Sequence, residues 1–142
     1  GRHMFMNHHD FAFDEAFGEE MDNDAVYTGT AHELVGACLD GNSATVMMYG
    51  QTGSGKTYTM SAIYERVAAD LFDSIAEDRV VTTSFYELSG DKCFDMLKGG
   101  EPCSLTQAGD GSVHPFPSVE TPVRDAVELL ALIRLAAKLR AT

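Results

Sequence analysis

MMYGQTGSGKTYTM, residues 47–60, is the stretch whose reading decides the fold. Within it Gly50, Gln51, Thr52, Gly53, Ser54, Gly55, Lys56 and Thr57 satisfy G-x-x-x-x-G-K-[ST], the pattern of a phosphate-binding loop. Each position has a physical reason. Glycines at 50, 53 and 55 let the backbone curl until successive N–H groups point inward at phosphate oxygens. Lys56 reaches the β- and γ-phosphates as a point charge, and the Thr57 hydroxyl suits Mg²⁺. A helix that starts there adds the positive end of its dipole. ATP or ADP with Mg²⁺ is the cofactor such a loop implies.

The flanks supply the context the loop needs. ATVMMY, ahead of it, is a short apolar run that predicts a strand buried on both faces. SAIYERVAADLFDSIAE, behind it, places Ile63, Val67, Leu71 and Ile75 every fourth residue, with Tyr64, Ala68 and Phe72 beside them. That spacing predicts an amphipathic helix, continuous from about Lys56 to about Ala76. Further upstream, DFAFD alternates and predicts a short strand. GEEMDND reads as a loop in which Asn23 or Asp24 caps a helix carrying Val26, Tyr27, Leu34, Val35, Cys38 and Leu39. Asp40-Gly41-Asn42 ends that helix.

Downstream, RVVTTSFYEL predicts one strand, SGDK a turn, and CFDML follows. Asp110-Gly111 is a hairpin turn between two extended pieces. Thr121-Pro122 predicts the start of a last helix, VRDAVELLALIRLAAKLR, whose Leu and Ile residues cover more than half its circumference and call for cover on more than one side. Strand–helix–strand–helix order makes the fold class α/β, that of a P-loop nucleotide-binding protein.

Composition narrows the classes. The 142 residues suit one domain, with 44% apolar and 23% charged residues and no apolar run long enough to span a bilayer. A formal charge of −12 argues against nucleic acid and against an acidic membrane surface as partners. Asp10, Asp14, Glu15, Glu19, Glu20, Asp22 and Asp24 form an acidic run that reads as a solvated loop and helix start. Cys38, Cys93 and Cys103 make an odd count at unrelated spacings, which fits a reducing cytosolic setting better than disulfides or a metal site. His8-His9 reads as a solvated pair rather than metal ligands. The opening GRHM, residues 1–4, reads as a cloning remnant. Hydrolysis also needs an acid at the end of a neighbouring strand. Glu87 is the candidate within the chain, although its half-polar strand favours a residue that closes an outer strand.

At this point a resemblance becomes specific. YGQTGSGKTYTM resembles the P-loop signature of the kinesin motor domain, including the Tyr before it and the T-M after it. FAFDEAF resembles that family's F-x-F-D-x-x-F strand, VYTGTAHELV its V-Y helix, and IYERVAADLF its segment ending in D-L-F, with Ala62 in place of glycine. SFYELSGDKCFDML resembles S-F-x-E-I-Y-x-x-x-x-x-D-L-L. FAFDEAF and SFYELSGDKCFDML look closest to the kinesin-13 branch, which depolymerises microtubule ends. The likeness runs through residues 5–142 and loosens between Gly99 and Val119.

The resemblance implies a central sheet with helices on both faces, a microtubule-dependent ATPase, tubulin as partner and a cytoplasmic, cytoskeletal location. It places Tyr58 where the family stacks a His or Tyr beside the adenine. It also implies a motor represented only by its P-loop half: no R-x-R-P precedes Phe11, no K-V-D loop is present, and switch I (N-x-x-S-S-R-S-H) and switch II (D-x-x-G-x-E) do not occur. Catalytic residues are therefore not assigned. On that view Thr45 to Tyr49 needs flanking strands from further polypeptide. Two other readings compete: a kinesin-like module that holds nucleotide without hydrolysis, and a small-molecule or nucleoside kinase, for which Arg134 and Arg140 are poor lid residues.

Overall fold

A computed structural model describes residues 8–139. The GRHM stretch and Arg140 lie outside that range. In chain order the elements are α1 (Asn23–Thr30), α2 (His32–Leu39), α3 (Lys56–Ser74), β1 (Val81–Thr83), β2 (Tyr86–Ser89), β3 (Lys92–Asp95), a 3₁₀ turn (Met96–Lys98), β4 (Glu101–Gln107), β5 (Val113–Phe116), β6 (Thr121–Val123) and α4 (Ala126–Leu139).

The organisation is α/β, and α3 is its centre. The apolar period read from the sequence sets which side of α3 is covered: Ile63 and Ala68 are buried, while Val67, Leu71 and Phe72 are half-buried. One cluster joins Ile63 to Tyr27 and Ala31, with Met48, Met60 and Val67 against it. A second joins Ala68 to Val123 and Leu129, with Phe72, Val81 and Ile133 around them. Thus α3 carries the α1–α2 pair on one side and β6 with α4 on the other. The helix runs unbroken through Met60–Ser61, as its spacing requires, and ends at Ile75, whose N–H bonds Leu71 O at 2.9 Å.

The helix expected over residues 26–39 forms, with a break. Asp22, rather than Asn23 or Asp24, caps it, taking the Ala25 N–H at 2.9 Å. Ala31 then separates α1 from α2 at φ −110°. Thr30 explains the break: its Oγ1 donates to Val26 O at 2.6 Å, the back-bond that bends helices, and Gly29 weakens the same turn.

Strand pairing departs furthest from the sequence expectations. Both sheets are antiparallel: a two-stranded one, β1–β6, and a four-stranded one in the order β2–β3–β4–β5. The single strand expected from RVVTTSFYEL divides at Ser84-Phe85, so that its halves join different sheets. Ser84 Oγ donates to Val119 O at 3.1 Å at that point. Thr121-Pro122 is not a helix start. Pro122 lies opposite Thr82 in the β1–β6 ladder, and the cap of α4 is Asp125, whose Oδ1 accepts the Glu128 N–H at 2.7 Å. The Asp110-Gly111 turn does join β4 to β5.

Two expected strands are absent. Residues 10–14 and 42–50 carry no regular secondary structure and belong to no ladder among the described residues. A strand exists only through its neighbours, and neither segment has one here. Phe11, Phe13, Met47 and Tyr49 are accordingly exposed, and only Met48 reaches the core. The second side of α4 is likewise open, with Val127 and Leu135 exposed.

Candidate functional site

The glycines at 50, 53 and 55 have φ of 152°, 85° and 87°, the region where a side chain is strained. This lets residues 50–55 double back, closed by Ser54 N–H to Gln51 O at 3.2 Å. Gly55 is the N-cap of α3 in the left-handed conformation, and no side chain caps the helix. The first N–H groups of a 19-residue helix therefore have no capping side chain. A Cβ on Gly53 or Gly55 would meet nothing within 4 Å, so the hollow in front of them is open.

Lys56 Nζ donates to Gly50 O and Gln51 O, each at 2.7 Å. An ammonium group is thus folded back onto the loop it belongs to. Thr57 is exposed on the next position, and Ser61 Oγ bonds its carbonyl oxygen at 2.7 Å. Tyr58 projects outward with 73% of its surface exposed and is free to lie against a flat group. Beside Lys56 and Thr57 opens a cleft of about 360 Å³, walled by Met48, Met60, Phe85, Ile133 and Arg134.

These features test the loop against a nucleoside polyphosphate with Mg²⁺, and the donor set fits: a helix N-terminus, a lysine, a hydroxyl and a glycine hollow without side chains. Gly50 through Tyr58 are consecutive and lie together. Two other candidates lie elsewhere. Glu87 sits opposite Phe94 on β2, an edge strand, and lines a separate groove with Met96 and Leu139. Arg134 does approach the cleft, but its Nη2 is engaged by Glu65 Oε1 at 3.2 Å. His8 and His9 are exposed, and among the described residues no group of three or more side chains could hold a metal ion.

Sequence reasoning missed two polar clusters that hold the frame. Asp70 on α3 accepts the Tyr27 hydroxyl at 2.5 Å and contacts His32 Nδ1 at 2.9 Å. Its carboxyl is held below the ordinary value by the Tyr27 bond first and the His32 bond next. The Tyr27 hydroxyl is pushed up, by burial foremost and then by its bond to Asp70. The other is Asp95, fully buried, whose Oδ1 accepts the Leu97 and Lys98 N–H groups and whose Oδ2 accepts that of Val119. Only the first had a local signal, the V-Y helix. A carboxylate that bonds backbone 24 residues away leaves none.

Comparison with known proteins bears on the same residues. Residues 2–142 match the kinesin motor domain family. The chain is 36% identical over 142 residues to a diatom spindle kinesin-1 of Cylindrotheca fusiformis, covering 97% of this chain and 23% of that protein. It is 40% identical over 105 residues to the mouse kinesin-like protein KIF24, covering 66% of this chain and 8% of that protein. It is 30% identical over 143 residues to the kinesin-like protein KIN-13B of Arabidopsis thaliana, covering 97% of this chain and 21% of that protein. The chain thus spans less than a quarter of the length of each of these relatives.

Proposed function

The chain belongs to the kinesin motor domain family, and from that premise we propose that it is the ATP-binding part of a microtubule-dependent motor ATPase of the depolymerising, kinesin-13 kind. The observation that carries the nucleotide assignment is the open glycine loop at the uncapped start of α3, with Lys56 Nζ bonded back to the Gly50 and Gln51 carbonyls. Gly50, Gln51, Thr52, Gly53, Ser54 and Gly55 present backbone N–H groups to the phosphates. Lys56 exchanges the Gly50 and Gln51 carbonyls for phosphate oxygens, Thr57 supplies a hydroxyl ligand, and Tyr58 stacks on the adenine. Mg²⁺, held in part by the Thr57 hydroxyl, would supply charge neutralisation at the phosphates.

The FAFDEAF and SFYELSGDKCFDML motifs support the depolymerising branch, as does the likeness to KIN-13B. Further polypeptide completes the motor in this reading. Its support is the exposed, apolar Val46, Met47 and Tyr49, whose backbone lies in no ladder among the described residues. Burying these apolar side chains in the working motor would also take their backbone groups out of water, where an unpaired group costs about 1–3 kcal/mol, so in this reading strands lie on both sides of the segment. Tubulin is the partner, met largely through those further segments, in the cytoplasm on the microtubule cytoskeleton.

Titration with a fluorescent ADP analogue in the presence of Mg²⁺ tests the reading. Saturable binding is expected, weakened in Lys56→Ala by about 1.5–3 kcal/mol through loss of a charge-assisted contact. Equal affinity in the variant would remove Lys56 from the site.

A further inference from the structure

Cys93 on β3 and Cys103 on β4 stand directly opposite each other in the antiparallel ladder. Their sulfurs are 3.1 Å apart, with Cys103 S–H donating to Cys93 Sγ, and both are free thiols. Facing residues in such a ladder have Cα atoms about 4.5–5.5 Å apart, inside the window of about 4.4–6.8 Å that a disulfide spans. A bond of about 2.05 Å needs the sulfurs to close by about 1 Å, within reach of side-chain rotation. A groove of about 650 Å³ opens beside them, lined by Asp91, Lys92, Phe94 and Leu105 as well as the two cysteines. Cys93 is 4% exposed and Cys103 half-buried, so a small oxidant reaches Cys103 first.

We propose that Cys93 and Cys103 form a two-electron redox modification site, oxidised by a small hydroperoxide to a disulfide that fastens β3 to β4. Cys103, as thiolate, attacks the O–O bond of the hydroperoxide. The terminal oxygen is transferred to sulfur as the O–O bond breaks, giving sulfenic acid at Cys103, and the other oxygen leaves as hydroxide or alkoxide and takes a proton. Cys93, as thiolate, then attacks that sulfur, and hydroxide leaves and is protonated to water. Two thiols have lost two protons and two electrons, and one hydroperoxide has been reduced. The bond closes a ring that contains Asp95, the 3₁₀ turn and the left-handed Gly99 and Gly100, locking the buried Asp95 hub in place.

The same surroundings restrain the chemistry. Burial foremost, then the hydrogen bond to Cys93 and the electrostatic influence of the neighbouring Cys93 and Asp95, push the Cys103 thiol up to about 11. Asp91 and Lys92 are the charged groups along the groove. Cys103 is protonated near neutral pH, so oxidation is slow there and quickens about tenfold per pH unit as thiolate appears. The site answers to sustained oxidant rather than to a pulse. It does not depend on the nucleotide reading.

The test treats the whole chain with hydrogen peroxide and, separately, equilibrates it in glutathione redox buffers, with intact mass, thiol counting and peptide mapping. Oxidation should remove the mass of two hydrogen atoms, leave Cys38 alkylatable and link Cys93 to Cys103. Cys38→Ser should behave as wild type, and Cys103→Ser should retain all its thiols. The equilibrium for closing the bond against glutathione should favour the native chain over the urea-denatured chain by about tenfold or more. Linkage through Cys38, three persistent thiols, or equal equilibria in native and denatured chains would each overturn the proposal.

Discussion

The buried carboxylate of Asp95 holds the backbone N–H of Val119, 24 residues further along the chain, at 2.6 Å. The same carboxylate, through its other oxygen, caps the 3₁₀ turn after β3, so a single side chain ties the four-stranded sheet to the segment that enters β6.

Asp95→Ala would leave those N–H groups without acceptors in a site that is fully buried. A loss of about 2–4 kcal/mol in unfolding free energy is expected, measured by urea denaturation followed by circular dichroism. Asp95→Asn keeps one acceptor oxygen for the turn but turns an amide N–H toward Val119, so its loss should fall between wild type and alanine. An alanine variant as stable as the parent would show that Asp95 holds nothing.

Tyr27→Phe removes the larger of the two bonds that lower the Asp70 carboxyl. The folded-state value lies below the unfolded one, so the Asp70 cluster adds stability above the ordinary carboxylate range. That contribution fades as pH falls through the lowered value. Asp70 is partly exposed, so we expect a neutral-pH cost of only about 1 kcal/mol. The gap between wild type and variant should narrow as unfolding is measured toward about pH 3. A gap unchanged across that range would separate the bond from the titration.

Thr57→Ala deletes the hydroxyl assigned to Mg²⁺ while leaving Lys56 and the glycine hollow intact. Affinity for ADP in the presence of a chelator should match that of the parent. The gain on adding Mg²⁺ should shrink by about tenfold, equivalent to about 1.4 kcal/mol. Identical Mg²⁺ responses would move the metal away from Thr57.

Residues 5–142 alone should release no phosphate in response to microtubules, since switch I and switch II motifs, which place the water in kinesin-type motors, do not occur in them. A coupled phosphate assay with and without polymerised tubulin checks this. Stimulated turnover would place the catalytic groups within these residues.

What the sequence disclosed follows the reach of each interaction. The loop and α3 were legible because their determinants lie within one turn of each other: positive-φ glycines, a lysine and a fourfold apolar repeat. The Asp110-Gly111 hairpin was legible for the same reason. Strands at 10–14 and 44–49 were read from apolar pattern, but their existence depends on neighbours that a local pattern does not contain. Thr121-Pro122 misled because the same pair suits a helix start and an edge strand, and Pro122 lies in a two-stranded ladder. The correct start was present in the sequence as Asp125 with Glu128 three residues later, a capping pattern one turn further on. The Cys93–Cys103 encounter was hidden because a spacing of ten residues becomes a contact only once the register is known.

The β4–β5 hairpin is bound to the rest of the sheet through β4 alone, and its turn at Ala108–Gly111 is exposed. Ala108 N–H bonds Ser112 O at 2.8 Å, so the strands are closed below the tip before the turn begins. The tip is therefore an insertion port. An epitope or a small fluorescent tag grafted there would lengthen a loop already sealed at its base, and each doubling of such a loop adds only about 0.6 kcal/mol. A label at that position would report on the protein without occupying the glycine loop at the start of α3.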